Sequence, residues 1–267
     1  MSERIENPDD PRIAVFLGLR NHAERQRREL PGGDRADTFI CEGDIVIKRA
    51  LDAGHTLRSV LVSAKRTKPL PPLPTDASVF AATGAVLETV TGRPELRDPL
   101  ACFDRPRRRA VEDVVDGASL VAVLEGLNNP NNLGVIMRNA AGLGVDAVLL
   151  DATCGDPLYR RAIRASMGQV FAVPYARADS TATILSALHA RGFRSVALTP
   201  RGDQSLAEFV APPPVAILLG AEGPGLTDTT IDQATDRIRI HMERGVDSLN
   251  VANAAAIAFH HLRHQSR

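Results

Sequence analysis

"SLVAVLEGLNNPNNLGVIMRNAAGLGVDAVLLD", Ser119 to Asp151, decides the fold. "SLVAVLEGL" has no polar alternation and reads as a strand buried on both faces. An Asn-Pro turn follows. "NNLGVIMRNAAGLG" then sets Leu133, Ile136, Met137 and Ala140 on one side of a helix that Asn131 or Asn132 caps. "DAVLLD" is a second strand. Strand, helix, strand at this spacing is the crossover unit of a parallel sheet with helices on its faces.

The alternation continues downstream. "PLYRRAIRASMG" is a helix, "VFAVPY" a strand, "TATILSALHARG" a helix, and "RSVALTP", "VAILLG" and "DRIRIHM" are strands. The last helix lies in "VDSLNVANAAAIAFHH", Val246 to His261, with Val251, Ala254, Ala255, Ala258 and Leu262 as its apolar stripe. Asp247 or Ser248 suffices to cap it, which leaves Asn250 without a structural purpose. Upstream the pattern is a shorter αβαβ. "IAVFLGLRNHAERQRREL" reads as an amphipathic helix ending at Pro31-Gly32-Gly33, "TFIC" as a strand, "EGDIVIKRALDAG" as a helix and "LRSVLVS" as a strand. "KPLPPLPTD" is too rich in proline for regular structure. The charged run "FDRPRRRAVEDV" separates the halves. The expected division is a first domain over 1–104, a basic linker over 105–116 and a second domain over 117–267.

Composition narrows the function classes. A chain of 267 residues that is 44% hydrophobic has a real core. Formal net charge is zero, so no global field draws it to nucleic acid or membrane, although local clusters can. Tryptophan is absent and aromatics are 4% of the chain, against a stacking platform for single strands. Cys41, Cys102 and Cys154 form no C-x-x-C pair, which suits a reducing cytoplasm. The N-terminus is polar rather than a signal peptide, and no apolar run reaches membrane-spanning length. His260, His261 and His264 have no nearby carboxylate, so no metal is expected.

In an open α/β sheet, ligands bind beyond the carboxyl ends of the strands. Three polar loops fall there. In "LEGLNNPNNLGVIMRNA", asparagines lead to Arg138, whose planar fork suits a phosphate. "ILLGAEGPGL" runs a buried strand into Gly220, Gly223 and Gly225, which permit positive φ and close backbone approach. It lacks the Lys-Ser/Thr of a phosphate loop, and Glu222 within it would repel a phosphate. The third loop, "IRIHMERGVDSLN", places Ser248 and Asn250 at a helix N-terminus.

Together and in this order, "NNPNNLGVIMRNA", "LLGAEGPGL" and "IRIHMERGVDSLNVANAAAI" resemble the three motifs of the SpoU/TrmH family of S-adenosyl-L-methionine-dependent RNA 2′-O-methyltransferases, within the SPOUT superfamily. The resemblance spans Ser119 to His264. "FICEGDIVIKRALDAGHTLRSVLVS" is similar to the L30e-like substrate-binding domain that often precedes this catalytic domain. The resemblance implies an α/β domain with a deep trefoil knot and a homodimer whose active site lies near the subunit interface. It places Thr199, Pro200, Gly220, Ile240, Met242 and Leu249 around S-adenosyl-L-methionine. It makes Asn132, Arg138, Glu222, Ser248 and Asn250 the catalytic set. Arg138 would grip a phosphate and stabilise the forming alkoxide, a general-base role being the competing view. Asn250 is then an active-site residue, not a spare cap. His241 stands where the family usually has proline, and "NVANA" replaces the commoner "NVSVA".

The implied partner is structured RNA, with ribosomal RNA favoured because an N-terminal domain is present. Arg105, Arg107, Arg108 and Arg109, then Arg160, Arg161 and Arg164, and also Lys65, Arg66 and Lys68 are the phosphate-contact candidates. Transfer RNA is the alternative substrate. A non-catalytic RNA-binding or ribosome-assembly protein of the same fold is the alternative class, opposed by the intact motif residues. A generic ATP- or NAD-binding domain lacks its fingerprints.

Overall fold

The computed structural model describes residues 2–19, 33–92 and 94–264. They form two compact units, Met1–Arg107 with Leu158–Gly168, and Arg108–Pro157 with Gln169–Arg267. The first unit holds β1 (Glu3–Ile5), β2 (Thr38–Glu42), α1 (Asp44–Asp52), β3 (Leu57–Ser63), β4 (Ser78–Ala82), α2 (Gly84–Thr91) and β5 (Leu100–Asp104). Its sheet has the order β1-β4-β3-β5-β2, with β5 antiparallel to both neighbours. Sequence reading finds β2, α1 and β3 but misses β4, α2 and β5. "VFAA" and "LACF" are short apolar runs flanked by proline-rich segments, without a period long enough to read. The expected helix over 13–30 begins as a 3-10 helix, Pro11–Phe16, which Asp10 caps by accepting from the Arg12 N–H. The rest of that expectation, at 20–32, lies outside the described residues.

The second unit opens on α3 (Val111–Val114), whose Val111 and Val114 are buried with Val115 in its core. The segment expected to be a linker over 105–116 therefore ends as folded structure. β6 (Leu120–Glu125) is buried at every position, as its unbroken apolar run requires. In α4 (Pro130–Leu143) the cap is Asn129, not Asn131 or Asn132. Its side-chain oxygen accepts from both of their N–H groups, and Pro130 takes the first helical position, where no donor is needed. β7 (Ala147–Leu150) follows. The chain next gives α5 (Arg160–Ala165) to the first unit, so the expected continuous domain over 117–267 is interrupted at Leu158–Gly168. β8 (Tyr175–Arg177) begins at the end of the expected strand "VFAVPY", because Gln169–Phe171 coils into a 3-10 turn. α6 (Thr181–His189), β9 (Arg194–Leu198), β10 (Gln204–Ser205), β11 (Val215–Gly220), α7 (Asp228–Gln233), β12 (Asp236–Arg239) and α8 (Val251–His264) complete the unit.

The second sheet runs β10-β12-β9-β11-β6-β7-β8, and each neighbouring pair is parallel. From β6 the chain builds outward through β7 and β8, then crosses to β9 on the far side of β11. The order reverses at β6 and β11, a switch point that opens a crevice at the strand ends. No helix among the described residues is long and apolar enough to cross a membrane.

Asp146 ties the start of β6 in place. Its carboxylate accepts from the Ser119 N–H at 2.8 Å, the Ser119 hydroxyl at 2.9 Å and the Leu120 N–H at 2.9 Å. Burial pushes its pKa up, but the two backbone donors, the Ser119 hydroxyl and the charge of Arg263 outweigh burial and hold it below the usual carboxylate value. A carboxyl depressed in the folded state stabilises the protein above its unfolded pKa, and the effect fades as pH falls through the folded value. Asp146→Asn should therefore lower the urea midpoint at pH 7. The difference should narrow as pH falls below the ordinary carboxylate value of about 3.9, as wild-type Asp146 takes up its proton. A constant gap from pH 7 to pH 3 would contradict this account.

Candidate active site

A cleft of about 750 Å³ opens at the carboxyl ends of β9, β11 and β12. Its walls come from the loop after β9, the glycine-rich loop after β11 and the segment from β12 into α8. Thr199, Pro200, Gly220, Ile240, Met242 and Leu249 all line it, as do Glu222, Ser248 and Asn250. Residues far apart in the chain thus share one small volume.

Backbone shapes the cleft. A Cβ built on Gly220 would lie 2.1 Å from the Gly225 carbonyl carbon and 2.2 Å from the Leu226 nitrogen. The loop folds back on itself, with the Gly225 N–H donating to the Ala221 carbonyl at 3.0 Å. Gly223 and Gly225 have positive φ, whereas Gly220 is needed for close approach. Below the loop, Glu125 at the end of β6 accepts from the hydroxyls of Thr227 at 2.8 Å and Thr230 at 3.0 Å, anchoring the start of α7. Sequence reading passes over Glu125, although a lone carboxylate closing an apolar strand is the available signal.

A directed hydrogen-bond chain joins the start of α8, the first turn of α4 and the glycine-rich loop. Asn250 Oδ1 accepts from the Ala252 N–H at 2.9 Å, so Asn250 itself caps α8, in place of Asp247 or Ser248. Its other half, Nδ2, donates to Asn132 Oδ1 at 3.0 Å. Asn132 Nδ2 in turn donates to a Glu222 carboxylate oxygen. One amide therefore serves as cap and cross-link together, and neither amide can flip without losing two bonds. The buried face of α8 is Ala252, Ala255, Ala258, Phe259 and Leu262, while Val251 and Ala254 of the expected stripe turn toward the cleft.

Arg138 does not line the cleft. It lies on the solvent face of α4, exposed and without an ion-pair partner among the described residues, opposite the buried Leu133, Ile136, Met137 and Ala140. Its neighbour Asn139 donates to the Ala252 carbonyl at 2.8 Å, which locks α4 to the first turn of α8. This second asparagine cross-link also escapes the sequence reading.

The basic candidates divide. Arg66 and Lys68 both reach Asp44 at 2.7 Å, and the Arg66 side chain is only 9% exposed. Arg160 and Arg164 converge on Glu42 at 2.5 and 3.6 Å. Arg105 donates to the Thr38 carbonyl at 3.3 Å, and Arg109 to that of Asp113 at 3.4 Å. Arg66, Lys68, Arg160 and Arg164 are thus already paired with carboxylates, whereas Arg105 and Arg109 keep further N–H donors for a phosphate. Lys65, Arg107, Arg108 and Arg161 are exposed and better placed to meet one.

The family model described as the SpoU rRNA Methylase family matches residues 119–260. The chain is 44% identical over 260 residues to an uncharacterized tRNA/rRNA methyltransferase of Mycobacterium tuberculosis, covering 95% of this chain and 89% of that protein. A solved RNA 2′-O ribose methyltransferase superposes with a TM-score of 0.75 at 29% identity, over 98% of this chain and 99% of the other. An AdoMet-bound rRNA methyltransferase from Sinorhizobium meliloti gives a TM-score of 0.78 at 25% identity, over 98% of both chains.

Proposed function

This chain belongs to the SpoU rRNA Methylase family, and from that premise we propose that it methylates the 2′-hydroxyl of a ribose in structured RNA, using S-adenosyl-L-methionine. Ribosomal RNA in the cytoplasm is the favoured substrate. The observation that carries this reading is the convergence of the loops after β9, β11 and β12 on one cleft, two of which, through Glu222 and Asn250, are cross-linked to Asn132 of α4. A cleft of about 750 Å³ falls within the usual range of small-molecule sites, about 300–1,000 Å³. Apolar lining such as Pro200, Ile240, Met242 and Leu249 suits an adenosine, which needs flat apolar walls but no counter-charge. The tight turn at Gly220 keeps the loop backbone, not a side chain, against such a ligand.

When bound, the cofactor supplies an electrophilic methyl group on its sulfonium. The residues of this chain must do the rest. Thr199, Pro200, Gly220, Ile240, Met242 and Leu249 hold the adenosine portion. Asn132, Asn250 and Glu222 keep the loops in register, and Ser248 offers a hydroxyl to the incoming ribose. A ribose hydroxyl is a poor nucleophile, so it must be oriented and relieved of its proton. Arg138, exposed and with no ion-pair partner among the described residues, is available to grip the adjoining phosphate and stabilise the oxygen as charge develops. We further propose that the chain from β9 to α8 threads the family's trefoil knot, that 1–104 is an L30e-like RNA-binding domain and that the protein acts as a homodimer.

Isothermal titration with S-adenosyl-L-methionine tests the reading, followed by mapping of ribose methylation on total RNA with and without the gene. Cofactor binding and a gene-dependent methyl mark are expected. A folded protein that binds no cofactor, alone or with ribosomal RNA, would shift the reading to a non-catalytic RNA-binding protein of the same fold.

A further inference from the structure

Two arginines that sequence reading leaves unassigned line the cleft, Arg201 and Arg239. Their settings differ. Arg201 is exposed and held 2.7 Å from Asp228, with both side chains mostly in solvent. Arg239 closes β12, is half-buried, and donates through Nη1 to the Gly202 carbonyl at 2.5 Å. A guanidinium has five N–H donors, so this bond fixes the fork and leaves donors over. The wall beside it is rigid: a Cβ on Gly202 would lie 2.2 Å from the Ile238 carbonyl carbon. His241, the other basic residue at the cleft, is exposed and leans on Glu243 at 3.4 Å.

S-adenosyl-L-methionine carries a sulfonium, an ammonium and a carboxylate. For its two cationic groups the cleft offers the carboxylates of Glu222 and Asp247. For its single anion the cleft has one half-buried, pre-positioned fork. An exposed ion pair such as Arg201 with Asp228 gains little from a further partner. A guanidinium partly withdrawn from water and already oriented binds a carboxylate more strongly. We propose that Arg239 is the counter-ion of the cofactor's amino-acid carboxylate and so selects the whole cofactor over its nucleoside fragment. This rests on the methyltransferase reading above.

The test compares ligands with and without the carboxylate. S-adenosylhomocysteine, its decarboxylated analogue and 5′-methylthioadenosine are titrated into wild type, Arg239→Gln, Arg239→Lys and Arg201→Gln. Wild type should bind S-adenosylhomocysteine roughly ten- to a hundredfold more tightly than the decarboxylated analogue, the range of one charge-assisted hydrogen bond. Arg239→Gln should erase that preference and leave methylthioadenosine binding unchanged. Arg239→Lys should keep part of it, and Arg201→Gln all of it. Equal weakening of all three ligands by Arg239→Gln would make Arg239 only a wall support and overturn the proposal. So would wild type that ignores the carboxylate, a measurement independent of how any variant folds. Wild type that binds none of the three ligands would overturn the methyltransferase reading first, and this proposal with it.

Discussion

Gly220→Ala is expected to abolish S-adenosyl-L-methionine binding at the proposed cleft and to cost about 3 kcal/mol or more of folding stability, the upper end for inserting one carbon into packed structure. The reason is geometric. The added Cβ would stand 2.1 Å from the Gly225 carbonyl carbon, inside any tolerable contact. Backbone cannot rotate aside as a flexible side chain would. Relief requires either β11 or the loop at Gly225 to move, and both form the cleft wall. Gly142→Ala is the control. Gly142 lies in α4, and a Cβ added there would meet nothing within 4 Å, so alanine should be neutral or stabilise by up to about 1 kcal/mol. Urea denaturation and cofactor titration of both variants decide the matter. A Gly220→Ala protein with wild-type midpoint and affinity would show that the loop does not depend on this close approach.

The same contact shows what the sequence conveys. Three glycines after an apolar strand announce a tight turn, but nothing in "LLGAEGPGL" says which glycine meets which backbone atom. That depends on Ala221 and Gly225 pairing across the turn. The parallel sheet is legible because a doubly buried strand such as β6 has no polar alternation to confuse it. β4 and β5 are no shorter than β2, which is legible beside the helix pattern of α1; set among proline-rich segments instead, they go unread. Among site residues, types at strand ends are legible and their partners are not. Asn250 looks surplus to capping, yet it is the cap. Its amide has two ends, and sequence reading assigns only one duty to it. Arg239 and Asn139 are invisible because their importance arises from Gly202 and Ala252, which are distant in the chain.

Arg138→Ala is expected to lower methyl transfer by on the order of 10²–10³, the loss typical when one group that stabilises developing oxyanion charge is removed. Cofactor affinity should be unchanged, because Arg138 is not among the residues lining the cleft. The fold should also be unchanged, since Arg138 is exposed, with no ion-pair partner among the described residues. Exposed substitutions of this kind stay within about 0.5 kcal/mol. The kinetic constants divide the two roles proposed for the guanidinium. A grip on phosphate that is equal in ground and transition states appears as a raised KM. Stabilisation of the oxygen as it loses its proton appears as a lowered kcat. Arg138→Lys separates them further, because a lysine keeps the charge but not the planar fork that spans two phosphate oxygens. If positioning on phosphate dominates, lysine should recover KM only in part. If field strength at the oxygen dominates, lysine should recover much of kcat. Single-turnover methylation with saturating cofactor, on ribosomal RNA prepared without the gene, reads both constants. Undiminished transfer by Arg138→Ala would remove Arg138 from the reaction and leave the cross-linked group of Glu222, Asn132 and Asn250, with Ser248, to account for catalysis.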